Sequence, residues 1–118
     1  MNAKNSFTTS SLAFLTGVFM SSVNAETFSF DTDTAGSLPM GWEQGVTGRG
    51  AARWAVQQDE SAPSKPNVLR QSGVGSFPWV VRQGSSIEDG WVEVKFKALA
   101  GEEDQAGGVV WRWKSGGN

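Results

Sequence analysis

The chain has 118 residues, with 10 Lys and Arg against 12 Asp and Glu, a formal net charge of −2, no histidine and no cysteine. A near-neutral balance without a basic cluster lacks the electrostatic footprint of a nucleic-acid or anionic-lipid binder, and leaves neutral molecules or other proteins as the expected partners. Without His or Cys the chain cannot build a Ser-His-Asp triad, a thiol nucleophile or a His/Cys zinc site from its own residues.

Lys4 precedes an apolar run, Ser11-Leu-Ala-Phe-Leu-Thr-Gly-Val-Phe-Met20, which is followed by Ser-Ser-Val-Asn-Ala25. A basic start, an apolar stretch and small residues at Val23 and Ala25 predict a secretory signal peptide over 1–25, cleaved after Ala25. The apolar run is about ten residues, half of the roughly twenty needed to span a bilayer, so no permanent anchor is expected. The remaining domain, 26–118, is therefore expected to be exported to the periplasm or the medium and to have no membrane partner. That compartment permits disulfides, yet no cysteine is present. Packing alone must hold a domain whose size leaves a large share of its surface in water.

The mature part reads as strands broken by turn residues. Thr27-Phe-Ser-Phe30 alternates and then meets Asp-Thr-Asp-Thr-Ala-Gly-Ser-Leu-Pro39, a long turn-rich connection. Short strands are predicted over Trp54–Gln57, Val68–Gln71 and Phe77–Arg82, with Pro78 placing the last at an edge or a strand start. Trp91-Val-Glu-Val-Lys-Phe-Lys-Ala-Leu99 has the clearest alternation, apolar at Val92, Val94, Phe96 and Ala98, charged at Glu93, Lys95 and Lys97. That pattern predicts a strand with one face on a core and one in water. Gly101–Gly108 is a loop in this reading, and Val109-Val-Trp-Arg-Trp113 a strand that completes a hairpin. No stretch after Ala25 shows a helical period, and 15 glycines in the chain suit many tight turns. The fold class is all-β. Lys-Ser-Gly-Gly-Asn118 is a hairpin turn signal after which a returning strand is expected. On this reading the domain looks cut short, with open edges and an exposed apolar face that favour self-association.

Several segments, in order, carry a family resemblance: Phe30-Asp-Thr-Asp-Thr-Ala-Gly-Ser-Leu-Pro-Met-Gly-Trp42, Thr47-Gly-Arg-Gly50, Trp54-Ala-Val56, Pro66-Asn-Val-Leu69 and Asp104-Gln-Ala-Gly-Gly-Val-Val-Trp-Arg112. They resemble bacterial exported domains of the concanavalin A-like lectin/glucanase fold, of the 3-keto-disaccharide hydrolase or laminarinase-like type. The resemblance covers about residues 27–118 and the first half of that family's domain. It implies an antiparallel jelly-roll sandwich with a concave face open to sugars, although fold alone does not fix function.

Sugar hydrolysis would require paired carboxylates set about 5–10 Å apart. Laminarinase-like enzymes take such acids from one strand as a Glu-x-Asp-x-Glu run, and none is present. Glu93 is followed on its own face by Lys95, and Glu102, Glu103 and Asp104 fall in a loop as solvated charges. No catalytic residue is therefore assigned. Asp31 and Asp33, with Gly36, match positions one, three and six of a calcium loop, while Ala35 and Trp42 occupy positions that need ligands. Calcium is thus the one cofactor considered, against the reading that both acids cap turns. Six tryptophans are the remaining feature. Indole rings stack on the apolar faces of sugars and also fill cores. Trp42 and Trp54 are assigned to the core, whereas Trp79, Trp111 and Trp113, with Arg112 on the opposite face of the 109–113 strand, are the candidate carbohydrate-binding residues. The leading reading is a carbohydrate-binding domain. The alternatives are a fragment of a glycoside hydrolase acting on a disaccharide or glucan, and a structural fragment without a ligand.

Overall fold

The computed structural model describes Gly17 and residues 25–102 and 105–116. The expected signal segment lies outside the described residues except for Gly17 and Ala25, as do Glu103 and Asp104. Four strands form, all in antiparallel pairs, and no helix occurs among the described residues: β1 Trp42–Gly50, β2 Trp54–Gln58, β3 Asn67–Gln71 and β4 Gly75–Arg82. β1 pairs with β4 and β2 with β3.

These two ladders are one nested ribbon. β1 and β4 run in register from Trp42↔Arg82 to Thr47↔Phe77, then slip by one residue to Gly50↔Gly75. The slipped register continues without change through Trp54↔Gln71 to Gln58↔Asn67. Between the ladders, Ala51 N–H donates to Val74 O (2.8 Å) and Ser72 N–H to Arg53 O (2.9 Å). A single inserted residue in one strand is a β-bulge, which bends and twists the ribbon locally. Gly48 and Gly50 supply it, with φ of 96° and 92°. A Cβ at Gly50 would lie 2.2 Å from Val74 O, so only glycine fits.

The ribbon is closed at its tip by the loop 59–66. Asp59 N–H donates to Pro66 O at 2.9 Å, and the Asp59 carboxylate accepts from the Ser61 amide (2.8 Å) and hydroxyl (2.6 Å). Along the free edge of β2, Gly36 N–H donates to Val56 O and Val56 N–H to Ser37 O, at 2.8 and 2.9 Å. This tacks the 31–39 connection onto the ribbon and leaves Val56 wholly buried. Val81, Ala62 and Pro39 are the other buried apolar residues among the described residues.

Three expected strands form within two residues of the bounds that turn residues set for them, as β2, β3 and β4. Pro78 lies inside β4 opposite Val46, tolerated because a two-stranded ladder leaves an open edge on each strand. Elsewhere the structure corrects the expectations. β1 was not anticipated as a strand, because Gly45, Gly48 and Gly50 weaken its pattern. Thr27–Phe30 makes no ladder. Instead the rings of Phe28 and Phe30 pack on Trp42 at 5.3 and 5.5 Å, the Arg82 guanidinium lies 5.5 Å from the Phe28 ring, and Phe30 turns the chain with φ 64°. Residues 91–99 and 109–113 also form no ladder among the described residues. Alternation is a necessary condition for a half-buried strand, but a strand exists only where a neighbour takes its backbone hydrogen bonds.

Candidate functional site

The two faces of the β1·β4 ladder follow from its register. Trp42 and Arg82 stand on one face, and Glu43 with Val81, Gly45 with Trp79 and Thr47 with Phe77 on the other. Phe28 and Phe30 pack on the first face at its Trp42–Arg82 end. The second carries the candidate residues.

Trp79 lies across Gly45. A Cβ there would come within 2.2 Å of the indole Cζ2, so the absent side chain makes room for the ring to lie over β1. The Trp113 ring packs on Trp79 with centroids 4.4 Å apart and planes tilted by 51°. The segment around Trp113 is pinned to the same face by Thr47, whose hydroxyl donates to Gly116 O at 2.8 Å. Gly116 also approaches the Trp79 ring, where a Cβ would stand 2.5 Å from Cζ2. Trp79 is thereby half-buried, and its buried Nε1 has no acceptor among the described residues.

Beside this stack opens a shallow cleft of about 300 Å³, lined by Thr47, Phe77, Pro78, Trp79 and residues 110–114. The structure therefore brings Trp79, Trp111, Arg112 and Trp113 together. It does so in a way that strand alternation does not allow. Arg112 has φ 55°, a left-handed conformation that costs a non-glycine residue about 1 kcal/mol or more. That turn sets Arg112 on the same cleft as its two tryptophan neighbours and not on the opposite face of a strand. Trp111 is 70% exposed and Phe77, at the rim, 72%, whereas Trp113 is half-buried. Arg112 and Lys114 are the charged residues of the lining, which holds no carboxylate among the described residues.

Phe77 and Thr47 were not singled out from sequence. Phe77 is two residues from Trp79 in an extended strand, so the period-two rule that placed Trp79 also places Phe77 on its face. Thr47 required knowledge that its strand exists.

Asp31 and Asp33 stand elsewhere, beside the β2–β3 end of the ribbon. Asp31 Oδ2 accepts from the Ser64 hydroxyl at 2.6 Å and Oδ1 from the Asn67 amide at 3.1 Å. The Ser64 hydroxyl first, and the Asn67 amide after it, hold the Asp31 carboxyl below its usual range. Asn67 is buried, and its Nδ2 donates to Phe30 O (2.8 Å) and Asp33 O (3.5 Å). Asp33 donates its own amide to Phe30 O at 3.1 Å. The pair thus ties the 30–33 turn to the start of β3. No group of three or more acids able to hold a metal ion occurs among the described residues, and a cation at Asp31 would have to displace two hydrogen-bond donors. Glu93 and Glu102 are both exposed.

Neither family models, nor curated proteins, nor solved structures contain a match to this chain.

Proposed function

We propose that the chain is an exported carbohydrate-binding domain of the concanavalin A-like sandwich type, which takes its ligand on the cleft at Trp79, Trp111, Arg112 and Trp113. The observation that carries this reading is the convergence of four residues, chosen from sequence for sugar chemistry, on one open cleft. The exposed Trp111 indole offers a flat apolar surface for the C–H face of a pyranose. Phe77 extends that surface, and Arg112 and Lys114 carry N–H donors for hydroxyl groups at its edge. The sandwich reading is supported by aromatic cover on both faces of the β1·β4 ladder, from Phe28 and Phe30 on one side and Trp113 on the other.

The test is a titration of the purified protein with laminari-oligosaccharides and common disaccharides, followed by tryptophan fluorescence and by calorimetry. Binding that is lost in a folded Trp111→Ala variant supports the proposal. A folded protein that binds none of these sugars, nor any glycan on an array, rejects it. Export is tested separately by intact mass, which is expected to match a chain beginning at Glu26 in the periplasm or medium.

A further inference from the structure

Trp91–Leu99 has the strongest strand pattern in the chain and makes no ladder among the described residues. Its apolar residues stand in the open, from 50% exposed at Val94 to 78% at Trp91, with Phe96 at 60%. Its side-chain hydrogen bond to the rest of the chain runs from Lys97 Nζ to Ser61 Oγ, at 2.9 Å. An exposed segment of alternating β-formers with unspent backbone donors and acceptors is a template for another strand.

We propose that this segment pairs antiparallel with the same segment of a second copy, about a two-fold axis through Val94. The sequence itself selects the register. Registers that shift the pairing by one residue set apolar residues opposite charged ones. Centring on Glu93 opposes two glutamates, centring on Lys95 opposes two lysines, and centring on Phe96 sets Lys95 against Lys97 twice. Centring on Val94 avoids all of these. Val94 meets Val94, and Val92 meets Phe96 on both sides of the axis, so six apolar side chains share one face. On the other face Glu93 meets Lys95 twice, and Trp91 meets Lys97, a cation over an indole. Each copy presents the complement of what it needs, as a two-fold interface requires. The interface lies on a segment separate from the tryptophan cleft, and its existence does not depend on sugar binding.

The chain has no cysteine, so a single introduced thiol reports on the axis. Directly opposed antiparallel residues have Cα atoms about 4.5–5.5 Å apart, within disulfide reach. Val94→Cys is expected to form a covalent dimer under mild oxidation. Val92→Cys is expected not to, because its two copies would stand about 13 Å apart along the strands. Light scattering on a sizing column is expected to show a dimer for the unmodified protein, and loss of that dimer in Glu93→Lys and in Lys95→Glu. The double variant Glu93→Lys/Lys95→Glu should recover it, as should an equimolar mixture of the two single variants. Circular dichroism of each variant keeps a folding defect distinct from lost association. An unmodified protein that stays monomeric at its highest soluble concentration overturns the proposal. So does a Val94→Cys chain that crosslinks no faster than Val92→Cys, or a dimer indifferent to both charge reversals.

Discussion

The indole of Trp79 occupies the space that a side chain on Gly45 would fill: a Cβ there would stand 2.2 Å from ring Cζ2. The two residues are direct partners in the β1·β4 register, so this contact links the strand pairing to the floor of the cleft. Through Trp79 it also supports Trp113, packed at 4.4 Å.

Gly45→Val is therefore expected to push Trp79 off β1 and with it Trp113 off Trp79. Overpacking of this kind costs about 1–3 kcal/mol. Gly108→Ala, where nothing lies within 4 Å of the new methyl, should be neutral to within about 0.5 kcal/mol. Urea melts followed by tryptophan fluorescence measure both. Equal midpoints for the two variants would place the indole elsewhere than over Gly45.

The bulge gives a graded series. Gly50 has φ 92° and backbone atoms 2.2 Å from a new Cβ, whereas Gly36 has φ 88° with open space around it. Gly36→Ala meets only the left-handed penalty, about 1 kcal/mol. Gly50→Ala adds a backbone clash that no side-chain rotation relieves, so it should cost more than Gly36→Ala and loosen the whole ribbon. The comparison is read from denaturant midpoints and from amide exchange at Ala51 and Ser72, whose N–H groups bridge the two ladders.

The features legible in the sequence were those set by short-range pattern. β2, β3 and β4 are short runs with apolar residues bounded by turn residues, and the structure forms them. β1 was hidden because its three glycines, which permit the bulge and the seat for Trp79, are the residues that dilute a strand pattern. The reverse holds at Trp91–Leu99, where pattern is strong and no ladder forms among the described residues. Alternation reports what a strand would bury, but pairing depends on a partner that local sequence does not name. For the cleft, residue type pointed to the four side chains, while their meeting depends on the left-handed turn at Arg112 and on the Thr47–Gly116 hydrogen bond. Neither is encoded in periodicity.

Asp31 links acidity to the integrity of the β2–β3 end. Its carboxyl is held below the usual range by Ser64 and then Asn67, so the folded chain binds that proton less readily than the unfolded chain. Stability from this group is fully present above the unfolded value, about pH 4, and is lost as pH falls through the lower folded value. Asp59, lowered chiefly by Ser61, acts in the same direction. Asp31→Asn should therefore flatten the acid limb of a stability-against-pH curve while leaving its slope above about pH 5 unchanged. A limb unaltered by the substitution would remove Asp31 from the account. A calcium-dependent rise in melting midpoint, abolished by Asp31→Asn, would assign the carboxylate to a cation instead.

Trp111 and Trp113 are two residues apart and line one cleft, yet their surroundings differ. Trp111 is 70% exposed and stacks on no other ring among the described residues, so its removal exposes little new surface and should change stability by less than about 1 kcal/mol. Trp113 is half-buried and packed on Trp79. Losing it gives up buried area together with an aromatic pair worth about 0.5–1.5 kcal/mol, and uncovers Trp79, so Trp113→Ala should cost about 2–4 kcal/mol. The two variants thus separate the roles that a tryptophan can play in one site. Trp111→Ala is expected to keep the melting midpoint and lose sugar binding. Trp113→Ala is expected to lower the midpoint and to blue-shift less, or red-shift, the emission of Trp79 as water reaches it. Should Trp111→Ala prove as destabilising as Trp113→Ala, both rings belong to the packing of the fold, and the open face that would receive a pyranose does not exist.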